Sequence, residues 1–393
     1  MDLVLNTQSL RPPLTGIGNY TFHLLDQLAG SEDIGEVHCF DGSRWMTAEE
    51  TLRSTEALRA SGGLAGGRVF DRAITRLRGF AAKVPGAQSG YARIMERRFS
   101  DGMRRRRGAI YHETNYIFMP CTGPCVTTVH DLSYISHASF HPQNVIDLLE
   151  SKLPETIRRA DRIITDSNVV RNELLQHFAI PDEKVRTVYL GADEAYRPRT
   201  GEQTSAVLAD YGLSHGQYVL LTATLEPRKG IDTLLDAWAM LPETLRRAFP
   251  LVLTGSAGWR NGGVLAKLSS LLAEGTVHYL GYVPAEVLPV LFSGAAVFTY
   301  PSVYEGFGLP VLEAMSSGVP VVCRDGTAMA EFAQGSCVLC VDGHAAELSA
   351  NIEMLLNDEQ VRAAWAEKGL RQARKFSWQR CAAETVAVYR EVL

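Results

Sequence analysis

The chain has 393 residues, more than one hydrophobic core carries comfortably, so two domains of ordinary size are expected. Its composition, 46% hydrophobic and 21% charged, excludes a disordered or low-complexity chain. A net charge of -5 gives no whole-molecule attraction to nucleic acid. In chain order, Asp2–Leu5 reads as a first strand, and Thr15-Gly16-Ile17-Gly18 as a turn before a helix over Asn19–Leu28. Amides exposed at such a turn can meet a phosphate, although a lone Gly-x-Gly is as readily a plain turn. Glu36–Phe40 is the second strand. From Ser43 to Gly108 no sheet pattern is evident, and helices and loops are expected. Ala109–His112 and Val126–Val129 follow as strands, the latter leading into His130 and Asp131. A lone His at a strand end is more often structural than chemical. Arg162–Thr165 and Val185–Tyr189 complete six strands. Asp166 and Ser167, after the first of these, read as a helix N-cap, with a place beside a cleft as the alternative.

Tyr196-Arg197-Pro198-Arg199-Thr200-Gly201 is polar and broken by proline, the composition of a linker. Six more strands are expected beyond it: Tyr218–Thr222, Leu251–Leu253, Val277–Tyr279, Ala296–Thr299, Pro320–Cys323 and Val338–Val341. Short β-branched runs alternating with amphipathic helices signal parallel sheets, here α/β with two doubly wound, Rossmann-like domains. In such sheets sites form where strands end, so the strand-to-helix turns carry the chemistry. Arg228 and Lys229 lie between the strand Tyr218–Thr222 and a helix over Ile231–Leu241, where two fixed cations would hold a diphosphate. Taken singly, such a pair is usually solvated surface charge. The stretch from Tyr300 to Met315 contains Glu305-Gly306-Phe307-Gly308-Leu309-Pro310 and then Glu313. Gly306 and Gly308 allow close backbone approach, Pro310 suits a first helical turn, and free amides there favour an anion or hydroxyls. Glu305 and Glu313 are expected to face one pocket, where carboxylates accept from sugar and ribose hydroxyls. Either glutamate alone would be an ordinary surface or capping acid.

The seven cysteines are an odd count for a disulfide framework. Cys337 and Cys340 would point to opposite faces of a strand, and no second pair near Cys121 and Cys125 completes a zinc site. Reduced thiols in a cytoplasmic protein are expected. No two aspartates are separated by one residue, so the Asp-x-Asp clamp of many metal-dependent sugar transferases is absent. Met1 to Leu10 lacks a basic stretch leading into an apolar one, so no signal peptide is expected. No apolar run approaches the roughly 20 residues of a membrane-spanning helix.

Two glutamates separated by seven residues in a Glu-Gly-Phe-Gly-Leu-Pro-x-Leu-Glu-Ala-Met setting resemble the donor motif of retaining glycosyltransferase family 4. Thr15-Gly16-Ile17-Gly18 resembles that family's N-terminal glycine loop, Thr128-Val129-His130-Asp131 its catalytic His turn, and Thr224-Leu225-Glu226-Pro227-Arg228-Lys229-Gly230 its phosphate-binding turn. Val188-Tyr189-Leu190-Gly191-Ala192-Asp193 resembles the end of its first domain, and Phe376-Ser377-Trp378 the start of its final helix. The resemblance implies the GT-B fold, with an acceptor-side domain over 1–196, a nucleotide-sugar domain over 197–376, and a helix 377–393 packing back on the first. It implies that His130 and Glu305 contact the donor sugar, that Glu313 holds the ribose, and that Gly16, Gly18, Gly306, Phe307, Gly308 and Leu309 complete the donor site. Arg228 and Lys229 would bind the diphosphate, with no metal cofactor required and no enzyme nucleophile. The Arg-Lys turn looks most like bacterial mannosyltransferases of surface-polysaccharide and O-antigen assembly, which implies GDP-mannose and a glycan or lipid-diphosphate-linked acceptor. A UDP-hexose, rhamnosyl or fucosyl transferase is the alternative within the family, and a sugar-nucleotide 2-epimerase the alternative outside it.

One charge feature stands apart. From Arg68 to Gly108 there are 12 Lys or Arg against 3 acids. Aromatic residues are sparse there and no nucleic-acid motif accompanies it. An anionic membrane surface is the expected partner, through the Arg68–Arg107 region, with the enzyme peripheral on the inner face of the membrane. Phe70, Ile74, Leu77, Phe80 and Ala81, beside Arg72, Arg76 and Arg78, fall at helical spacing and suit an interfacial helix. Packing of such a stripe into the first domain is the competing expectation.

Overall fold

The computed structural model describes residues 1–11, 14–60, 87–256, 262–341 and 344–393. The apolar stripe from Phe70 to Ala81 and its arginines lie outside these residues. Strand-forming runs build two sheets. The first holds β1 (Leu3–Asn6), β2 (Val37–Phe40), β3 (Trp45–Thr47), β4 (Ile110–Glu113), β5 (Cys125–Val129), β6 (Arg162–Thr165) and β7 (Val185–Thr187), in the order β3-β2-β1-β4-β5-β6-β7. The second holds β8 (Val219–Thr222), β9 (Leu251–Thr254), β10 (Val277–Gly281), β11 (Val297–Tyr300), β12 (Val321–Arg324) and β13 (Val338–Cys340), in the order β10-β9-β8-β11-β12-β13. All twelve expected strands are present, within about two residues at their ends. One was not expected: β3 is antiparallel to β2, while the other pairs are parallel.

The parallel strands are buried on both faces by flanking helices, which is why they read as unbroken apolar runs. Each sheet reverses its winding direction once, between β1 and β4 in the first and between β8 and β11 in the second. Chain leaving those strands enters the crevice at which doubly wound folds bind ligands. Both crevices face each other across one cleft. The last helix, Trp378–Arg390, capped by Ser377, packs against the helix Gly16–Ala29 of the first half, and Ala192 pairs with Ser377 in a bridge.

The two halves touch directly beside the cleft. Tyr304 Oη accepts from the Leu132 N–H at 2.9 Å and donates to Glu173 at 2.5 Å. Glu331 accepts from the Asn168 and Val169 amides at 2.9 and 3.1 Å, so a carboxylate of one half caps a helix of the other. Ser167 accepts from Val170 N–H as that helix's own N-cap and donates to the Gly306 carbonyl at 2.7 Å.

Candidate active site

Where the crevices meet lies a cleft of about 550 Å³. The turn before the helix Gly16–Ala29 contributes Thr15, Gly16 and Ile17, and β5 leads to His130 and Asp131. β6 leads to Asp166, β8 to Thr224, Glu226, Arg228 and Lys229, and β11 to Glu305 and the segment Gly306 to Pro310. Three strand ends of the first half and two of the second thus bring together residues separated by almost 300 positions of chain.

Gly16 begins the helix, three residues earlier than the Asn19 start expected, and a side chain there would meet nothing within 4 Å. It opens onto the cleft. Gly18 does not line it: a Cβ at this position would press on Leu14 and the Ser9 carbonyl at 2.8 Å. Its small size serves packing of the helix on the turn below, which corrects the expectation that it binds donor. Gly308 has φ +104°, a conformation that favours glycine, and it caps the helix Leu309–Ser316 with Pro310 in the first turn. Phe307 is buried and stacks on Phe332 with ring centroids 4.6 Å apart, so it contributes to the cleft through its neighbourhood in the loop while its ring anchors that loop.

Arg228 and Lys229 do reach the cleft, yet they arrive paired. Lys229 Nζ donates to Glu305 Oε1 at 2.6 Å and to Tyr300 Oη at 3.1 Å. Arg228 lies 3.4 Å from Glu305 and 3.6 Å from Glu226, and donates to the Tyr304 carbonyl. Ser302 Oγ also donates to Glu305, at 2.6 Å. Burial opposes charge on Glu305, but the two cations and these hydrogen bonds hold its pKa down at about 2. Glu305 is therefore an ionised carboxylate that holds the cations in place. The same carboxylates, after burial's opposing effect, raise the pKa of Arg228.

His130 is buried, and both ring nitrogens are taken. Nδ1 lies 2.7 Å from Asp166 Oδ2, and Nε2 lies 2.8 Å from the Thr114 carbonyl. A carbonyl only accepts, so Nε2 carries a proton. Burial penalises the charged ring, but the Asp166 carboxylate, joined by Thr114, raises the His130 pKa above its ordinary value. The expectation that the His130 ring meets sugar hydroxyls is not met by this geometry, because no ring N–H is left over. Asp166, given first as a cap, is a cleft residue instead; Ser167 is the cap.

Glu313 is also placed differently. It lines a second chamber of about 540 Å³ with Asn19, His23, Arg59, Asp193, Tyr196, Leu288 and Trp378. Leu309 lines both spaces. The two glutamates thus face adjoining chambers, because Glu313 lies a further turn along the helix that begins at Leu309. Burial, reinforced by the nearby Asp193 charge, pushes Glu313 up to about 8. Sequence patterns carried no signal for Tyr304, Glu331 or Tyr20 at this site. Tyr20 sits on an ordinary apolar helix face, and its ring lies edge-on to His130 at 4.9 Å.

Two family models match: "Glycosyltransferase Family 4" over residues 15–196 and "Glycosyl transferases group 1" over residues 210–372. The chain is 34% identical over 390 residues to O-antigen chain mannosyltransferase B of Escherichia coli, covering 99% of this chain and 100% of that protein. It is 31% identical to an MMP alpha-(1->4)-mannosyltransferase of Mycolicibacterium hassiacum, over 60% of this chain and 55% of that one. Among solved structures, HepE of Anabaena in complex with UDP and glucose superposes with TM-score 0.68 at 16% identity, covering 99% of each chain. WaaG, a glycosyltransferase involved in lipopolysaccharide biosynthesis, superposes with TM-score 0.69 at 13% identity. Opposed crevices, a basic turn beneath a Glu-Gly-Phe-Gly loop, and full-length similarity agree: the chain belongs to glycosyltransferase family 4 and is a glycosyltransferase of the GT-B fold.

Proposed function

We propose that this enzyme transfers mannose from GDP-mannose to a glycan or lipid-diphosphate-linked acceptor, with retention of anomeric configuration. The names of its relatives support the sugar, since O-antigen chain mannosyltransferase B is similar over its whole length. The observation that carries the reading is the Arg228–Lys229–Glu305 cluster at the mouths of β8 and β11. On donor binding the diphosphate competes with Glu305 for both cations, and Glu305 is freed toward the hexose. The nucleoside then lies in the second chamber, with its ribose hydroxyls on Glu313. In the reaction the bond from the anomeric carbon to the diphosphate oxygen breaks, and the acceptor oxygen bonds the same face. The acceptor proton passes to the leaving phosphate. Arg228 and Lys229 stabilise the charge that collects there, so no metal is needed for that task.

The test incubates the enzyme with GDP-mannose, GDP-fucose, a rhamnose donor and UDP-hexoses, and follows nucleotide release. GDP-mannose should be consumed in preference, and chelator should leave the rate nearly unchanged. Arg228→Ala and Lys229→Ala should each slow turnover by roughly a hundredfold. UDP release alone would shift the donor to a UDP-hexose, and a new epimer formed from donor alone would favour the epimerase reading. Strict dependence on manganese or magnesium would overturn the role given to the two cations.

A further inference from the structure

The His130–Asp166 pair leaves one atom unexplained. Asp166 is buried, with 3% of its surface exposed, yet it lines the cleft. Its Oδ2 meets His130, while Oδ1 has no hydrogen-bond partner among the described residues. A carboxylate oxygen taken from water without a donor is costly to keep, so a protein retains one where a ligand supplies the donor. A phosphate offers no such donor and would be repelled; a hydroxyl fits. The neighbourhood narrows which hydroxyl. Ser167, the next residue, donates to the Gly306 carbonyl, and a Cβ on Gly306 would collide with the His130 carbonyl. Asp166 therefore faces the Gly306 to Leu309 segment across a very narrow gap, and that segment is where the proposed function seats the transferred sugar.

We propose that Asp166 is a sugar-binding residue whose free Oδ1 accepts a hydroxyl of the transferred hexose, while its Oδ2 positions His130. The inference rests on the reading of the cleft as a nucleotide-sugar site. Asp166 takes over the hydroxyl contact that His130, with both nitrogens engaged, does not offer. His130 becomes a positioning residue, held between Asp166, the Thr114 carbonyl and the rings of Tyr20 and Tyr116, which lie 4.9 and 6.0 Å away. The other charged neighbour is Asp131, the next residue in the chain, which accepts from Ser133.

Two substitutions separate the two oxygens. Asp166→Ala removes both. Asp166→Asn keeps a carbonyl oxygen for the sugar but presents an N–H to His130, which must then give up the proton on Nδ1. The kinetic arm uses GDP-mannose and analogues lacking single hydroxyls at C3, C4 or C6, with the wild type and both variants. One analogue should lower wild-type kcat/KM by at least about tenfold, the size expected for a hydrogen bond to a charged group. That same analogue should cost little in Asp166→Ala and retain part of its cost in Asp166→Asn. The second arm needs no substrate: nitrogen-15 NMR of histidine-labelled protein across pH, with His130→Gln used for assignment, should show His130 titrating above the ordinary histidine range in wild type and lower in Asp166→Asn, which loses the carboxylate charge. If every analogue costs the same fold in wild type and Asp166→Ala, the hydroxyl contact is wrong. If His130 titrates no higher in wild type than in Asp166→Asn, the pairing is wrong. Failure of wild type to turn over any nucleotide sugar would instead count against the proposed function, leaving the NMR result to stand by itself.

Discussion

Glu313 is the residue whose chemistry the fold alters most, and its consequences are separable from catalysis. Its pKa lies at about 8 in the folded chain, against about 4.3 for a free glutamate. Between those two values the folded state holds a proton that the unfolded state has lost, so raising pH through this window removes stability. Above pH 8 the full cost of ionising a buried carboxyl is present; near pH 4 none of it is. Glu313→Gln keeps the shape and cannot ionise. Its melting temperature should exceed that of the wild type at pH 8.5, and the gap should close toward pH 5. A gap that does not vary with pH would show Glu313 ionised throughout. The same substitution should raise KM for donor at pH 8.5, where Glu313 is ionised and accepts ribose hydroxyls more strongly than an amide, and change it much less at pH 6, where the carboxyl is neutral. Of these properties the sequence could signal only the position. The seven-residue spacing marked Glu313 as a site residue, but burial beside Asp193, 120 positions away, arises only when the halves come together.

The decisive element is the loop between β11 and the helix Leu309–Ser316. It carries Tyr304 to the first half, Glu305 to the cations and Gly306 to within contact of the His130 carbonyl. A methyl group at 306 would be forced against the His130 carbonyl, which is backbone and not the movable end of a side chain. Gly306→Ala should therefore part the two halves locally. It should depress kcat/KM by on the order of a hundredfold, as misplacement of about 1 Å does, while circular dichroism and the melting transition stay close to wild type. Wild-type kinetics in Gly306→Ala would mean the contact is not kept in the working enzyme. The elements themselves were legible because parallel strands covered on both faces are short apolar runs between helices. β3 was not. Its three residues carry no period; it exists because Trp45 stacks on Phe99, at 5.5 Å, from the helix Ala87–Arg105. A tertiary contact made that strand, so no local pattern announced it. Gly18 failed for the complementary reason: glycine beside a strand end marks close approach, whether of a ligand or, as here, of Ser9.

At the scale of the whole molecule, charge is distributed unevenly. Among the described residues no helix is long and apolar enough to cross a membrane. Within the helix Ala87–Arg105, Met95, Phe99 and Met103 are buried, the last two in a cluster with Phe40 and Tyr111. The apolar stripe of this part of the basic segment packs inward. Its cations face out. Arg93, Arg97, Arg98, Arg104, Arg105 and Arg107 are exposed, whereas Arg106 lies over the Trp45 ring at 4.1 Å. An exposed basic face on an enzyme of net charge -5 suits attraction to an anionic bilayer, where a lipid-diphosphate acceptor would also reside. Each such arginine near the surface adds about 1 kcal/mol. Replacing Arg104, Arg105 and Arg107 by Ser, while sparing Arg106 for its packing role, should weaken binding to vesicles rich in phosphatidylserine by about a hundredfold. Wild-type binding, measured by co-sedimentation, should fall between 0.05 and 0.5 M salt as the screening length shrinks, from about 10 Å at 0.1 M to about 3 Å at 1 M. Neutral vesicles should bind neither protein. Absence of wild-type binding to anionic vesicles even at low salt would remove the membrane from the account and leave a soluble acceptor, delivered to the cleft from solution.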